Sequence, residues 1–385
     1  MPAEKQPEKK PAAPQPIVSA SVEGALYASA VDRFDGRIFS GGSSGTWYSL
    51  DVNAPTPRLS PRGHADSYIG AMGIVGEATT RRQLVVGRYD GSLAWYDLHD
   101  GSLVRTVAAH AGWITDLDVL PPENPIDCVN GGETLVTVGH DMLVKTWDAR
   151  TGAPRSVFAG HKAETPEGYL SALYAVAASP REPIIASGDR VGEVRVWDLR
   201  TKREIAKFTC GDFYTFDAVK RDRSMGGVRR LRFSPDGTKL AVAGIGAVSN
   251  VDGFVGPNRL EVWDWRAGKR LAVLQDSHNG VLNDVRWTRD GKHLIAGGGG
   301  DAGGLLISWS VAELASGGAM KSDVKPLEKI KLKGHPHRLH LLDGDRGLAV
   351  VGFGGVQVWN TGSLILVALI PAQSAVEEKG KHERT

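Results

Sequence analysis

Val144-Lys145-Thr146-Trp147-Asp148, Val194-Arg195-Val196-Trp197-Asp198 and Leu260-Glu261-Val262-Trp263-Asp264 are three copies of one short pattern, an alternating run that closes on tryptophan and aspartate. Looser copies end at Leu50-Asp51, Tyr96-Asp97, Trp309-Ser310 and Trp359-Asn360. Successive copies stand 46, 51, 50, 66, 46 and 50 residues apart. That is at or a little above the roughly 40 to 45 residues of one four-stranded propeller blade, so the surplus belongs to loops.

Each interval carries the same order of signals. In the fifth, Val228 to Phe233 alternates as a strand, Ser234-Pro235-Asp236-Gly237 turns it, Lys239 to Ala243 makes a second strand, and Arg259 to Trp263 a third. Arg266-Ala267-Gly268 turns again and Arg270 to Leu274 gives the fourth. One such sheet cannot bury both of its faces, so neighbours stack around a ring. The reading is an all-β, seven-bladed β-propeller of four antiparallel strands per blade, spanning residues 17–372, between a disordered Pro/Lys-rich tail at 1–16 and a disordered charged tail at 373–385. Leu364 to Ile370 is expected as the outer strand of the last blade, with Ile17 to Ser21 as a candidate to add at that edge.

From about residue 22 to 372 the chain resembles the WD40-repeat family. The resemblance implies a hydrogen-bonded chain in each blade, running from an entering His through a Ser or Thr to the third-strand Trp, with an Asp in the turn. His110, Thr137, Asp141 and Trp147 match all four positions. Elsewhere the match is partial: His64 and Asp90 meet Tyr96 in place of Trp, His161, Ser187 and Trp197 have Val191 at the Asp position, and His335 and Trp359 have Phe353 there.

The 48 Gly and 20 Pro serve many turns, and 41% hydrophobic residues suffice for cores between blades. A formal charge of +2 argues neither for nucleic-acid wrapping nor for a strongly acidic partner, so nucleic acid is not the expected ligand. Cys128 and Cys210 fall in different blades, which speaks against a disulfide framework and for a reducing, cytoplasmic setting. No apolar run reaches membrane-spanning length; Leu364 to Ile370 has seven residues.

Catalytic motifs are weak. Gly41-Gly42-Ser43-Ser44-Gly45 has nucleophile-elbow spacing and Gly298, Gly300 and Gly303 dinucleotide spacing, but strands follow both where those chemistries need helices. His335, His337 and His340 form an imidazole cluster that meets a metal only if the backbone turns; no metal or cofactor is expected. Asp116, Arg230 and Asp284 occupy equivalent first-strand positions at the channel mouth, where mixed signs suit polar lining or partner contacts better than a carboxylate pair. The alternative they leave open is a propeller hydrolase or isomerase acting on a small polar molecule there.

Loop length carries the functional signal. His161 to Gly168, Thr209 to Gly227 and Gly244 to Asn258 fall on one face and build a raised rim. Phe213, Tyr214, Phe216, Lys220, Arg221, Arg223 and Phe254 are the expected contacts for partner proteins or peptides, the aromatics also being able to pin the loop to the disk. The expected role is a non-catalytic interaction scaffold.

Overall fold

The computed structural model describes residues 14–77, 81–120, 132–219, 222–251, 255–300, 303–314, 319–322 and 324–362. Strand propensity and Gly-centred turns give five four-stranded antiparallel sheets, each a consecutive meander. They begin with Ile69–Val75, Ile114–Leu120, Leu173–Ala178, Val228–Phe233 and Val281–Trp287. The motif that opened the reading is each meander's third strand. In Val144–Asp148, Thr146 and Trp147 are adjacent yet both buried, because pairing with the fourth strand slips by one between them. The slip turns Trp147 into the space between sheets, against Leu93, Trp95, Leu117 and Leu135.

A further sheet has six strands, ordered Pro336–Leu342, Gly347–Asn360, Val18–Val31, Ile38–Gly42, Thr46–Leu50 and Ser60–His64. Seven separate four-stranded sheets are expected from the repeats, and among the described residues six large sheets are found. The difference lies in two 14-residue strands. Gly347–Asn360 pairs through its first half with Pro336–Leu342 and through its second half with Val18 to Ser21. Val18–Val31 then changes partner near Gly24 and pairs through Leu26 to Val31 with Ile38–Gly42. The edge expected for Leu364 to Ile370 is thus held by Val18 to Ser21, and 364–370 lies outside the described residues. The boundaries expected at residues 372 and 373 lie there too.

The first strands pack side by side in chain order, and Pro336–Leu342 packs back on Val18–Val31, closing a ring around a channel. Among the described residues no helix is long and apolar enough to cross a membrane.

Every first strand carries a bulge near its start. Its pairing with the second strand skips one residue: Tyr27, Gly70, Thr115 and Tyr174 in four strands, and Arg229, Asn283 and His337 in three. A bulge re-aims a side chain that the ladder would otherwise fix. These seven residues meet around one mouth of the channel, called the upper end below.

Candidate functional site

The family's hydrogen-bonded chain is formed as expected at Trp147, whose indole N–H donates to Thr137 Oγ1 at 2.9 Å. His110 spans from Thr137 Oγ1 (2.8 Å) to Asp141 Oδ1 (2.8 Å). The His110 ring and the Lys145 ammonium hold the half-buried Asp141 carboxyl well below the usual carboxylate range, against the upward push of burial. The chain at Trp197 is complete where the sequence gives it a gap: His161 Nδ1 meets Asp189 Oδ2 at 2.9 Å, so Asp189 on the second strand does the work expected at Val191. At Trp263 the indole donates instead to buried Glu261, which Arg259 and Arg270 neutralise. Among the described residues the indole N–H groups of Trp47 and Trp309 find no partner. His64 is exposed and joins no such chain.

At the upper end the bulged residues meet an aromatic ladder. The Tyr89 and Trp113 rings stack at 4.5 Å and 10°; Trp113 leans on His140 at 4.7 Å, and His140 meets Tyr174 edge-on at 6.4 Å. Arg229 lies 4.5 Å over the Tyr174 ring, Tyr68 extends the ladder at its other end, and Tyr27 meets His337 across the mouth at 5.3 Å. Tyr68 and Trp113 remain 53% and 48% exposed, although rings of this size gain most by burial. Burial, with Arg190 nearby, lowers the His140 pKa and keeps the ring neutral at pH 7.

This crown was not singled out in the sequence. Its signal is positional: Tyr89 and His140 each stand between the second strand and its turn Asp, while Tyr68 and Trp113 each precede the first apolar residue of a first strand.

Below the crown, Asp116, Arg230 and Asp284 come together as a plug. Arg230 Nη1 donates to both Asp116 oxygens at 2.7 Å, and its Nε lies 3.1 Å from Asp284 Oδ1. All three are buried. Arg230 reaches Asp116 past the intervening Leu173–Ala178 strand. Burial opposes the Arg230 charge, but the Asp116 and Asp284 carboxylates outweigh it and raise its pKa. Asp284 is held low by Arg286 and Arg230 although burial pushes it up.

The rim forms over the same face. Phe213 is fully buried beside Gly244, so it pins the loop from below and offers no contact surface. Tyr214–Asp217 and Arg223–Gly226 form a hairpin, placing Tyr214, Phe216 and Arg223 on it. The Tyr214 hydroxyl donates to Glu167 at 2.5 Å, and the Phe216 ring sits 5.9 Å from that of Tyr169. Arg190 ties the hairpin to the preceding loop through Ser224 Oγ and the Leu170 carbonyl. Leu170 and Val219 are exposed at 78% and 92%. Lys220, Arg221 and Phe254 lie outside the described residues.

The imidazole cluster is not gathered. His337 faces Tyr27 at the upper end, whereas His340 Nε2 is 2.8 Å from Ser29 Oγ deeper in the channel. Among the described residues the ligand atoms of His161, Asp189 and Glu193 do converge, but Asp189 and Ser187 already occupy both His161 nitrogens. Cys210 is a buried free thiol, and Cys128 lies outside the described residues.

Comparison with known proteins places this geometry. The family profile described as WD domain, G-beta repeat matches residues 101–148, the stretch that holds the His110 chain. Nuclear distribution protein PAC1 of Arthroderma otae is 27% identical over 232 residues, covering 56% of this chain and 43% of that protein. The guanine nucleotide-binding protein subunit beta of Arabidopsis thaliana is 27% identical over 197 residues, covering 50% and 43%. Protein TOPLESS of Arabidopsis thaliana is 26% identical over 208 residues, covering 52% and 15%. The chain thus spans less than half the length of these curated relatives. With two complete hydrogen-bonded chains and a ring of antiparallel sheets, the protein carries a WD repeat at residues 101–148 and has the architecture of a WD40-repeat β-propeller.

Proposed function

We propose that the protein is a non-catalytic scaffold that binds partner proteins or peptides on the upper face and rim of its propeller. The observation that carries this reading is the stacked, half-exposed ladder Tyr68, Tyr89, Trp113, His140 and Tyr174 beside Arg229. Aromatic and Arg side chains dominate binding energy because they bury much area with few rotors, and a closed ring holds them in place before a partner arrives, which lowers the ordering cost of association. Tyr214, Phe216 and Arg223 on the rim hairpin extend the same face. Among the relatives, the name of the Arabidopsis guanine nucleotide-binding protein marks a subunit, a chain that works within an assembly.

We further read the ring as seven units, the six-stranded sheet supplying two. The change of partner near Gly24 and the seven bulged first strands support that count. The channel-mouth charges favour no chemistry: Asp116 and Asp284 are both tied up by the shared Arg230 guanidinium in place of poising a base. The buried thiol of Cys210 suits a reducing compartment such as the cytoplasm.

Affinity capture from native lysate with wild type, with Tyr89→Ala/Trp113→Ala and with Tyr214→Ala/Phe216→Ala tests the reading. We expect the first pair to deplete the captured set most and the second to deplete it in part, at unchanged melting temperature. Equal yields from all three proteins would remove the upper face as the site.

A further inference from the structure

Beneath the plug the channel holds a cavity of about 290 Å³. Its chemistry is unlike that of the crown. Arg230, Arg232, Arg286 and Arg338 reach it from three first strands, and the carboxylates that answer them are those of Asp116, Asp118 and Asp284. Four guanidinium groups facing three carboxylates leave one positive charge uncompensated. Arg33 at the lower mouth is already paired with Glu133 at 3.4 Å, and His340 is kept neutral by burial and by Arg286.

The geometry leaves donors unused. Arg230 is 1% exposed, yet its Nη2 finds no hydrogen-bond partner among the described residues, and neither does the buried Nε of Arg232. An unmet charged donor in such a place is costly, and water can satisfy the donor but not the charge. The same excess shows at two other groups. Burial and the neighbouring Arg232 push Arg286 down to about 9, and burial with Arg230 pushes Arg338 down to about 10. Both stay protonated at pH 7, but each gains by the arrival of an anion.

We propose that this cavity binds one small tetrahedral oxyanion, inorganic phosphate or a phosphate monoester, held by Arg232, Arg286 and Arg338 over the Nη2 of Arg230. Guanidinium forks match phosphate oxygens in pairs. Because these forks stand on three neighbouring first strands, each can take a different oxygen, which suits four oxygens set tetrahedrally better than a planar carboxylate. The site lies at the opposite end of the channel from the partner face and does not depend on that reading.

Calorimetric titration with inorganic phosphate, and separately with glycerol 3-phosphate, against chloride at matched ionic strength tests the proposal. The expected result is one saturable site with a Kd below about 1 mM, weakened about tenfold or more in Arg232→Gln and in Arg286→Gln. The probe that binds more tightly identifies the source of the phosphate group. Absence of saturable heat with both probes, or undiminished binding in both variants, overturns the proposal. If a Gln variant does not fold, wild-type melting decides: phosphate must raise the melting temperature above that in chloride, and equal values reject the site.

Discussion

The first strands build two chemically opposite ends of one channel. At the upper end they present Tyr27, Arg229 and His337 to an open aromatic crown, and three residues further along the same strands stand Ala30, Arg232 and His340, facing a cationic cavity. The bulge creates the difference. It turns one residue per strand up toward the mouth and restores regular alternation below it. An exposed apolar surface gains by covering with a large partner, whereas an enclosed charge gains only from an ion small enough to enter. One fold thereby offers two unlike surfaces without sharing residues between them, apart from Arg338, which borders both.

The plug between the ends is the place to break that division. Arg230→Met leaves the buried Asp116 and Asp284 without their shared cation and should cost about 5 kcal/mol in denaturant unfolding. A loss near zero would mean that the two ends are not separated by a structural ion pair. Trp147→Ala removes a wedge that serves both ends equally and strands the His110 chain, for about 4 kcal/mol. Here the expected companion result is an intact contrast between the ends in whatever fraction stays folded.

Ala20→Pro attacks the seam where Val18–Val31 meets Gly347–Asn360. Losing ladder pairing there should lower stability by about 2 to 3 kcal/mol, read from the melting temperature; no change would show that the seam does not hold the ring. Trp113→Ala sharpens the comparison from the other side. It should leave stability within about 0.5 kcal/mol and weaken partner binding by about 2 kcal/mol, roughly 30-fold.

The smallest effect is that of pH. Burial pushes His337 down to about 4 and lowers His340 well below its usual range, so in the fold both are neutral while the unfolded chain takes up protons below about pH 6.5. Folded pKa values below the unfolded ones mean that this contribution is present near pH 7 and lost as pH falls through about 6.5 toward 4. A drop of roughly 1 kcal/mol between about pH 6.5 and 6, flattened in His340→Gln, is expected from melting curves. An identical slope in the variant would show that His340 is solvated.

Much of this architecture was legible because the Trp-Asp pattern reports a local requirement that every sheet must meet. The His110 chain could be read whole for the same reason. The chain at His161 could not: Asp189 does on the second strand what a turn residue does elsewhere, and only folded distances reveal the substitution. The six-stranded seam was half visible: Ile17 to Ser21 stood as a candidate for the last edge, but the continuation of that strand past Gly24 into a second pairing leaves no periodic trace. Phe213 illustrates a different limit, since aromatic composition marks anchors and contacts alike and burial alone separates them. The arginine cavity was half visible: Arg230-x-Arg232, Asp284-x-Arg286 and Asp116-x-Asp118 repeat a charge at every second position of a strand. What the sequence lacked was the channel that brings those strands face to face.

The central claim is that partners dock on the crowned end. Hydrogen-exchange mass spectrometry on a captured complex tests it most directly. The account predicts new protection in peptides covering residues 66–70, 89–91, 110–114 and 140–142, with the turns at the lower end unchanged. Protection confined to those lower turns, with the crown exchanging as in the free protein, would contradict it.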